Sequence, residues 1–138
     1  MTRELSGVCV IAVTPLDGQR KLDGRSLENL VDYYLQADVD GLLVLGEVSE
    51  VGKLSKDEQQ EVVETAIGRV RGKVPVVVGI SRESTDLVID AAGWAKDLGA
   101  SALMVAPPKN LKLGDGAILD HYAAIGGAVL AALATAPG

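Results

Sequence analysis

Four short apolar runs recur along the chain, and a stretch with helical periodicity follows each of them. The runs begin near residues 8, 42, 75 and 102, so one strand and one helix together take about 30 residues, the size of a βα unit. Polar residues do not alternate with apolar ones inside the runs, which is typical of strands buried on both faces. The repeat predicts an α/β fold with a parallel sheet. It leaves two architectures open: half of a (β/α)8 barrel, or a small doubly wound ligand-binding domain.

Local signals set the bounds of the predicted elements. Ser55 and Glu58 have the spacing of a capping box, which predicts that a helix starts at Ser55. Asp23 or Ser26 is the expected cap of the first helix, and Gly99 is the expected stop of the third. The predicted strands cover 8–13, 42–45, 75–79 and 102–105, and the predicted helices cover 25–36, 55–71, 84–98 and 115–133.

Composition excludes several classes of function. The chain has 138 residues, of which 48% are apolar, and this predicts one domain over residues 1–138. A net charge of −6 and an aromatic content of 3% argue against nucleic acid as a partner, because phosphates and bases require basic clusters and stacking rings. No apolar run is long enough for a membrane span, so we expect no membrane partner.

The single cysteine, Cys9, lies inside the first apolar run. We interpret it as a small buried hydrophobic residue rather than a reactive thiol, because no polarising partner is near it in sequence. A chain with one cysteine forms no internal disulfide, which suits a reducing compartment. We therefore expect a cytoplasmic protein.

The stretch after the second predicted strand carries the most specific pattern. Gly46, Glu50, Leu54, Ser55 and Glu58 match the spacing of a family motif that reads Gly-Thr-Thr-Gly-Glu, then three residues, then Leu-Ser and a helix. In this respect the chain resembles the dihydrodipicolinate synthase / N-acetylneuraminate lyase family of pyruvate-dependent aldolases and lyases. Further matches are Gly7-Val8, Thr14-Pro15, Asp40-Gly41, Pro75-Val76, Gly79, Ser84-Thr85, Gly99-Ala100 and His121-Tyr122-Ala123.

The resemblance implies a (β/α)8 barrel of TIM-barrel type, of which this chain is the N-terminal half with about four βα units. A whole barrel of this type takes about 250 residues. Residues 1–125 are family-like, whereas residues 126–138 form an Ala/Gly-rich, atypical tail. We interpret that tail as a truncation or an aberrant end.

The resemblance also implies the chemistry. In the family, a lysine on the sixth strand forms a Schiff base with pyruvate, and a tyrosine on the fifth strand moves protons. Both positions fall after Gly138, so we expect no catalytic residue in this chain and little activity from it alone. No cofactor is implied, because the reacting amine belongs to the protein. The implied partner is a small-molecule 2-keto acid such as pyruvate.

Four residues are candidates for substrate binding. Glu47 and Val48 stand where the family has two threonines, and Ser49 replaces the second glycine. Glu47 either brings negative charge towards the substrate carboxylate or faces solvent next to the helix. Lys109 follows Pro108 where the family has paired tyrosines, and it is either a solvated loop residue or an internal candidate for the Schiff base.

Other polar residues near strand ends have structural interpretations. His121 is the only histidine, which argues against a metal cluster, and we expect it to be structural on the fourth helix. Ser81 and Ser84 follow the third strand, where Ser84 or Thr85 is expected to cap the next helix.

A second hypothesis for the whole chain is a non-catalytic half barrel. Its first and fourth strands would be unpaired edges, and such edges associate with other chains. We therefore expect a homo-oligomer or a complex with a partner.

Overall fold

A computed structural model describes residues 4–134 of the chain. Strands and helices alternate, and one short 3₁₀ helix follows the second strand. The elements are β1 (Cys9–Ile11), α1 (Gly24–Gln36), β2 (Gly41–Val44), the 3₁₀ helix (Val51–Lys53), α2 (Lys56–Val70), β3 (Val76–Gly79), α3 (Thr85–Asp97), β4 (Ala102–Met104) and α4 (Asp115–Ala134). The four predicted βα units are confirmed, whereas the 3₁₀ helix was not predicted.

The four strands form one parallel sheet in the order β1-β2-β3-β4. A doubly wound sheet reverses its strand order at a switch point, and this sheet has no reversal over the described residues. The order is that of half a (β/α)8 barrel, as predicted. β1 and β4 are shorter than expected, because an edge strand has a neighbour on one side only.

The core lies between the helices and one face of the sheet. On that face Leu42 of β2 pairs with Val76 of β3, and Val44 pairs with Val78. All four side chains are at most 3% exposed. Helices α1, α2 and α3 cover this face with the buried side chains Leu27, Val31, Val62, Val63, Ala66, Val70, Val88, Ala91 and Ala95. Burying each of the larger aliphatic side chains stabilises the fold by about 1.5–3 kcal/mol.

The opposite face of the sheet is only partly covered. Leu43 and Val77 on the central strands are buried, but Ile11 and Met104 on the edge strands are 45% and 40% exposed. We call this surface, formed by Cys9, Ile11, Val13 and Met104, the open face. It corresponds to the interior of a closed barrel, because the parallel register places Ile11, Leu43 and Val77 side by side.

The prediction that Cys9 is buried was wrong, since the residue is exposed on β1. Its side chain lies on the open face rather than against the helices. Partial desolvation raises the pKa of the thiol, so the group is no activated thiolate.

The helix starts follow the predicted caps. The Asp23 carboxylate accepts a hydrogen bond from the Ser26 N–H at 3.0 Å, so Asp23 caps α1. Ser55 and Glu58 form the expected capping box at α2, and Ser84 caps α3. These caps fix where α2 and α3 leave the loops after β2 and β3.

The Ala/Gly-rich tail continues α4 as a helix to Ala134, and residues 135–138 lie outside the described part of the chain.

Candidate functional site

A cavity of about 530 Å³ lies beyond the carboxyl ends of β2, β3 and β4. This is the end of a parallel sheet at which α/β enzymes place their ligands. Its apolar wall includes Leu45, Leu54, Leu87, Met104, Pro107 and Pro108, and its polar groups come from Glu47, Gln59, Ser81, Arg82, Glu83 and Lys109.

The loop after β2 begins with a strained residue. Leu45 is buried and has φ of +58°, a left-handed conformation that is uncommon for a bulky residue. It bends the chain sharply at the end of β2, so that Gly46 and Glu47 enter the cavity wall. Backbone strain of this kind is often concentrated at functional sites.

Ser49 holds this loop against β1. Its side chain is 1% exposed, and its hydroxyl donates to the carbonyl of Ala12 at 2.5 Å and accepts from the N–H of Gly46 at 3.1 Å. The single hydroxyl proton of Ser49 is therefore engaged inside the protein. The prediction that Ser49 contacts substrate stays a prediction.

Glu47 and Lys109 come together across the mouth of the cavity. The Lys109 Nζ lies 2.5 Å from the Glu47 Oε2, and the two side chains are 60% and 82% exposed. This contact joins the loop after β2 to the loop after β4 and places a positive charge beside Glu47. Val48, the residue between Glu47 and Ser49, is 55% exposed and is not among the cavity-lining residues.

Sequence reasoning missed Arg82, which follows β3 and lines the same cavity. Its guanidinium donates to the carbonyl of Ser81 at 2.7 Å and to the Oε1 of Gln59 at 2.5 Å. Burial lowers the pKa of Arg82 from its ordinary value. The signal was a cationic residue three positions after a buried strand, at the ligand end of the sheet.

The loop after β3 is held at two positions, by Ser81 and by the cap of α3 at Ser84. The Ser81 hydroxyl accepts a hydrogen bond from the Ala106 N–H at 2.8 Å, which ties this loop to the loop after β4. The N-cap role predicted for Ser84 is confirmed.

His121 lies away from the cavity, between α4 and the start of α3. It is 4% exposed, and its Nδ1 is 2.8 Å from the Thr85 hydroxyl. This contact agrees with the structural role predicted for His121.

Over residues 4–134, no group of three or more His, Cys, Asp or Glu residues has an arrangement that could hold a metal ion. None of the described helices combines the length and apolar character required to cross a membrane.

Comparisons of the sequence and of the structure with known proteins point to the same family. Residues 4–131 match the model of the dihydrodipicolinate synthetase family. The chain is 37% identical over 126 residues to the 4-hydroxy-tetrahydrodipicolinate synthase of Pseudomonas putida, covering 91% of this chain and 43% of the relative. It is 38% identical over 125 residues to that of Thermomicrobium roseum, covering 91% and 41%.

Solved structures agree in fold. One is YagE, an Escherichia coli K12 prophage protein of the dihydrodipicolinic acid synthase family that was crystallised in complex with pyruvate. It matches with a TM-score of 0.86 and 25% sequence identity, and the match covers 91% of this chain and 42% of that chain. The chain thus spans less than half the length of the relatives it matches. On the family match and the half-barrel fold, this chain belongs to the dihydrodipicolinate synthetase family.

Proposed function

We propose that the chain forms the N-terminal half of a Schiff-base aldolase or lyase of the dihydrodipicolinate synthase type, acting in the cytoplasm on a 2-keto acid such as pyruvate. The observation that carries the proposal is the loop after β2, which places Gly46 and Glu47 in the wall of a cavity at the ligand end of the sheet. The family membership and the pyruvate bound by YagE support the choice of substrate class.

In this proposal Glu47, Val48, Ser49 and Lys109 form the part of the substrate site that these residues supply. The amine that attacks the keto carbon comes from the sixth strand of a whole barrel, and the tyrosine that moves protons comes from the fifth. These 138 residues alone are then inactive. The Glu47–Lys109 contact partly offsets a negative charge that would otherwise repel the keto-acid carboxylate.

Borohydride trapping with pyruvate tests the proposal, with intact mass as the readout on protein shown to be folded by circular dichroism. We expect no adduct on this chain alone. Addition of the C-terminal half of the Pseudomonas putida relative is expected to give a pyruvyl adduct on a lysine of that half.

An adduct on Lys109 of the isolated chain would contradict the assignment of the Schiff base to the missing half. Lys109→Met and Lys112→Met are the matched variants, because Lys112 is an exposed lysine in the same loop outside the cavity lining. Failure of the mixture to form any adduct, with both halves folded, would count against the aldolase function.

The open face favours a second candidate function, self-association. On this face Ile11, Val13 and Met104 are 45%, 45% and 40% exposed, and β1 and β4 each have one free edge. A second copy related by half a turn about the barrel axis would place its β1 beside β4 of the first copy, and its β4 beside β1 of the first copy. The two copies would then complete a barrel of eight parallel strands. Closure of this kind removes both free edges.

Light scattering after gel filtration tests this candidate. We expect a dimer, and we expect Ile11→Lys to give a monomer because it places a charge on the open face. Val48→Lys is the control, since Val48 is an exposed apolar residue of similar size in a loop. A monomeric wild-type chain would refute the candidate.

A further inference from the structure

Arg82 is a partly buried cation that lacks a carboxylate partner, unlike four surface cations of the described chain. Lys53, Lys56, Arg69 and Lys109 each form an ion pair with a carboxylate at the surface. Arg82 is half-buried, and over residues 4–134 it forms no ion pair. Its two acceptors, the Ser81 carbonyl and the Gln59 amide oxygen, are neutral.

A guanidinium in this position retains its charge. Desolvation of Arg82 lowers its pKa, but an arginine side chain is not deprotonated in proteins. A partly buried charge without a counter-ion is unfavourable, and an anion beside it would offset that free energy. Arg82 has five N–H donors, of which the described residues engage two.

The position of Arg82 is set by its contact with Gln59 of α2, and Gln59 is itself bonded to the loop before that helix. The Gln59 side chain donates to the carbonyls of Leu54 at 3.0 Å and Val51 at 3.4 Å. These bonds orient the amide so that its oxygen faces Arg82. The guanidinium is therefore held in place before any ligand arrives, which reduces the entropy lost on binding.

The other charges around the cavity do not compensate Arg82. Glu47 is paired with Lys109 at 2.5 Å. Glu83, the next residue in the chain, is exposed and forms no ion pair within the described part of the molecule. A ligand carboxylate is thus the charge that this cavity is suited to accept.

We propose that Arg82 binds the carboxylate of a small organic acid in the cavity beyond β3. The inference rests on the proposed function for the identity of that acid. It assigns the carboxylate of the 2-keto acid to Arg82 in the loop after β3, rather than to the side chains of the loop after β2. A guanidinium fork suits a carboxylate because two parallel N–H donors meet its two oxygens.

A nitrogen–proton NMR titration of the folded chain tests the inference with three probes. Propionate carries the carboxylate alone, pyruvate carries carboxylate and keto group, and methyl pyruvate carries the keto group without the charge. We expect propionate and pyruvate to produce saturable shifts at the amides of Ser81 and Arg82, and methyl pyruvate to produce none.

Arg82→Gln is expected to weaken the binding of propionate and of pyruvate by about tenfold or more, which is the loss typical of a charge-assisted hydrogen bond. Arg82→Lys keeps the charge without the fork and is expected to fall between the two. Arg25→Gln, on the exposed surface of α1, is the matched control and is expected to bind as the wild type does.

Wild-type affinity in Arg82→Gln overturns the inference. Without any variant, it is also overturned by equal binding of methyl pyruvate, by shifts confined to Gly46–Ser49, or by the absence of a saturable shift with propionate. Propionate has no keto group and forms no Schiff base. The result of the propionate titration is therefore independent of the trapping experiment that tests the aldolase function.

Discussion

A Cβ atom added to Gly79 would overlap the carbonyl oxygen of Leu45, so the end of β3 packs directly against the strained turn that ends β2. The contact is between backbones, and no side-chain rotation can relieve it. The position of the cavity wall formed by Leu45 and Gly46 therefore depends on the absence of a side chain at Gly79.

Gly79→Ala is accordingly expected to destabilise the chain by about 1–3 kcal/mol, the range for overpacking a well-packed site. Urea unfolding measures the change. Gly93→Ala is the control, because an added Cβ there meets no atom within 4 Å and the residue lies inside α3. That variant is expected to gain about 0.5–1 kcal/mol. Equal stability of Gly79→Ala and the wild type would contradict the packing described above.

Ser49→Ala removes a buried hydroxyl that bonds two backbone groups. The Ala12 carbonyl and the Gly46 N–H would lose their partner, and we expect a loss of about 1–3 kcal/mol in unfolding free energy. Ser6→Ala, at an exposed position, is expected to stay within about 0.5 kcal/mol of the wild type. Similar unfolding midpoints for the two variants would show that the Ser49 bonds contribute little.

The contact between Thr85 and His121 is suited to a double-mutant cycle. Within the described residues the Nε2 of His121 is buried without a hydrogen-bond partner, so its Nδ1 bond to Thr85 is the one polar contact that the ring makes. Thr85→Val is expected to destabilise the chain by about 1–3 kcal/mol, because both ring nitrogens are then unpaired. Adding His121→Phe is expected to recover most of that loss. Additive effects of the two changes would exclude coupling between them.

Asp32 is expected to make the stability of the folded chain depend on pH under acidic conditions. Arg69 donates to its carboxylate from Nε at 2.7 Å and from Nη2 at 2.5 Å. These bonds hold the pKa of Asp32 below its ordinary value of 3.8. The unfolded chain therefore takes up the proton first as pH falls, so the stabilisation is complete above pH 3.8 and is lost as pH drops through the lowered pKa.

Unfolding midpoints across this pH range, in the wild type and in Asp32→Asn, measure the effect. The variant is expected to be less stable at neutral pH and less sensitive to acid. Part of the sensitivity remains, because hydrogen bonds at the helix caps also lower the pKa of Asp23 and Glu58. Asp120→Asn, at an exposed position on α4, is the control. An unchanged acid profile in Asp32→Asn would rule out this source.

Changing Glu47 or Lys109 is expected to affect ligand binding more than stability. Both side chains are mostly exposed, and surface ion pairs contribute about 0–1 kcal/mol. Glu47→Gln removes a negative charge near the cavity and is expected to tighten pyruvate binding about threefold, whereas Lys109→Met exposes that charge and is expected to weaken it comparably. The NMR titration measures both. Unchanged affinity in both variants would show that Glu47 lies too far from the bound acid to act on it, and effects of the opposite sign would contradict the charge argument.

Local patterns were sufficient to predict most of the fold. The capping box of Ser55 and Glu58 depends on two residues three positions apart, and the strands follow from continuous apolar runs. The burial of Cys9 was predicted wrongly because it depends on what covers the open face, and no local pattern reports that. The close approach of the Leu45 backbone to Gly79 joins residues more than thirty positions apart in the chain, so no local pattern predicts it.

The candidate site could be predicted only in outline for the same reason. The sequence indicated the loop after β2 and Lys109, each from its position relative to a strand end. It did not indicate that Lys109 reaches Glu47 or that Gln59 orients Arg82, because these contacts join different βα units. Side-chain geometry between units is fixed by the packed sheet.

The strand order β1-β2-β3-β4 also has a consequence for how the chain acquires its structure during synthesis. Each strand pairs with the strand that precedes it, and no two paired residues of the described sheet are more than 34 positions apart, the separation of Leu42 and Val76. Short separations keep the entropy of loop closure small and favour fast folding. The sheet can therefore grow one strand at a time as the ribosome releases each βα unit, with β1 and β2 paired before β4 has been translated.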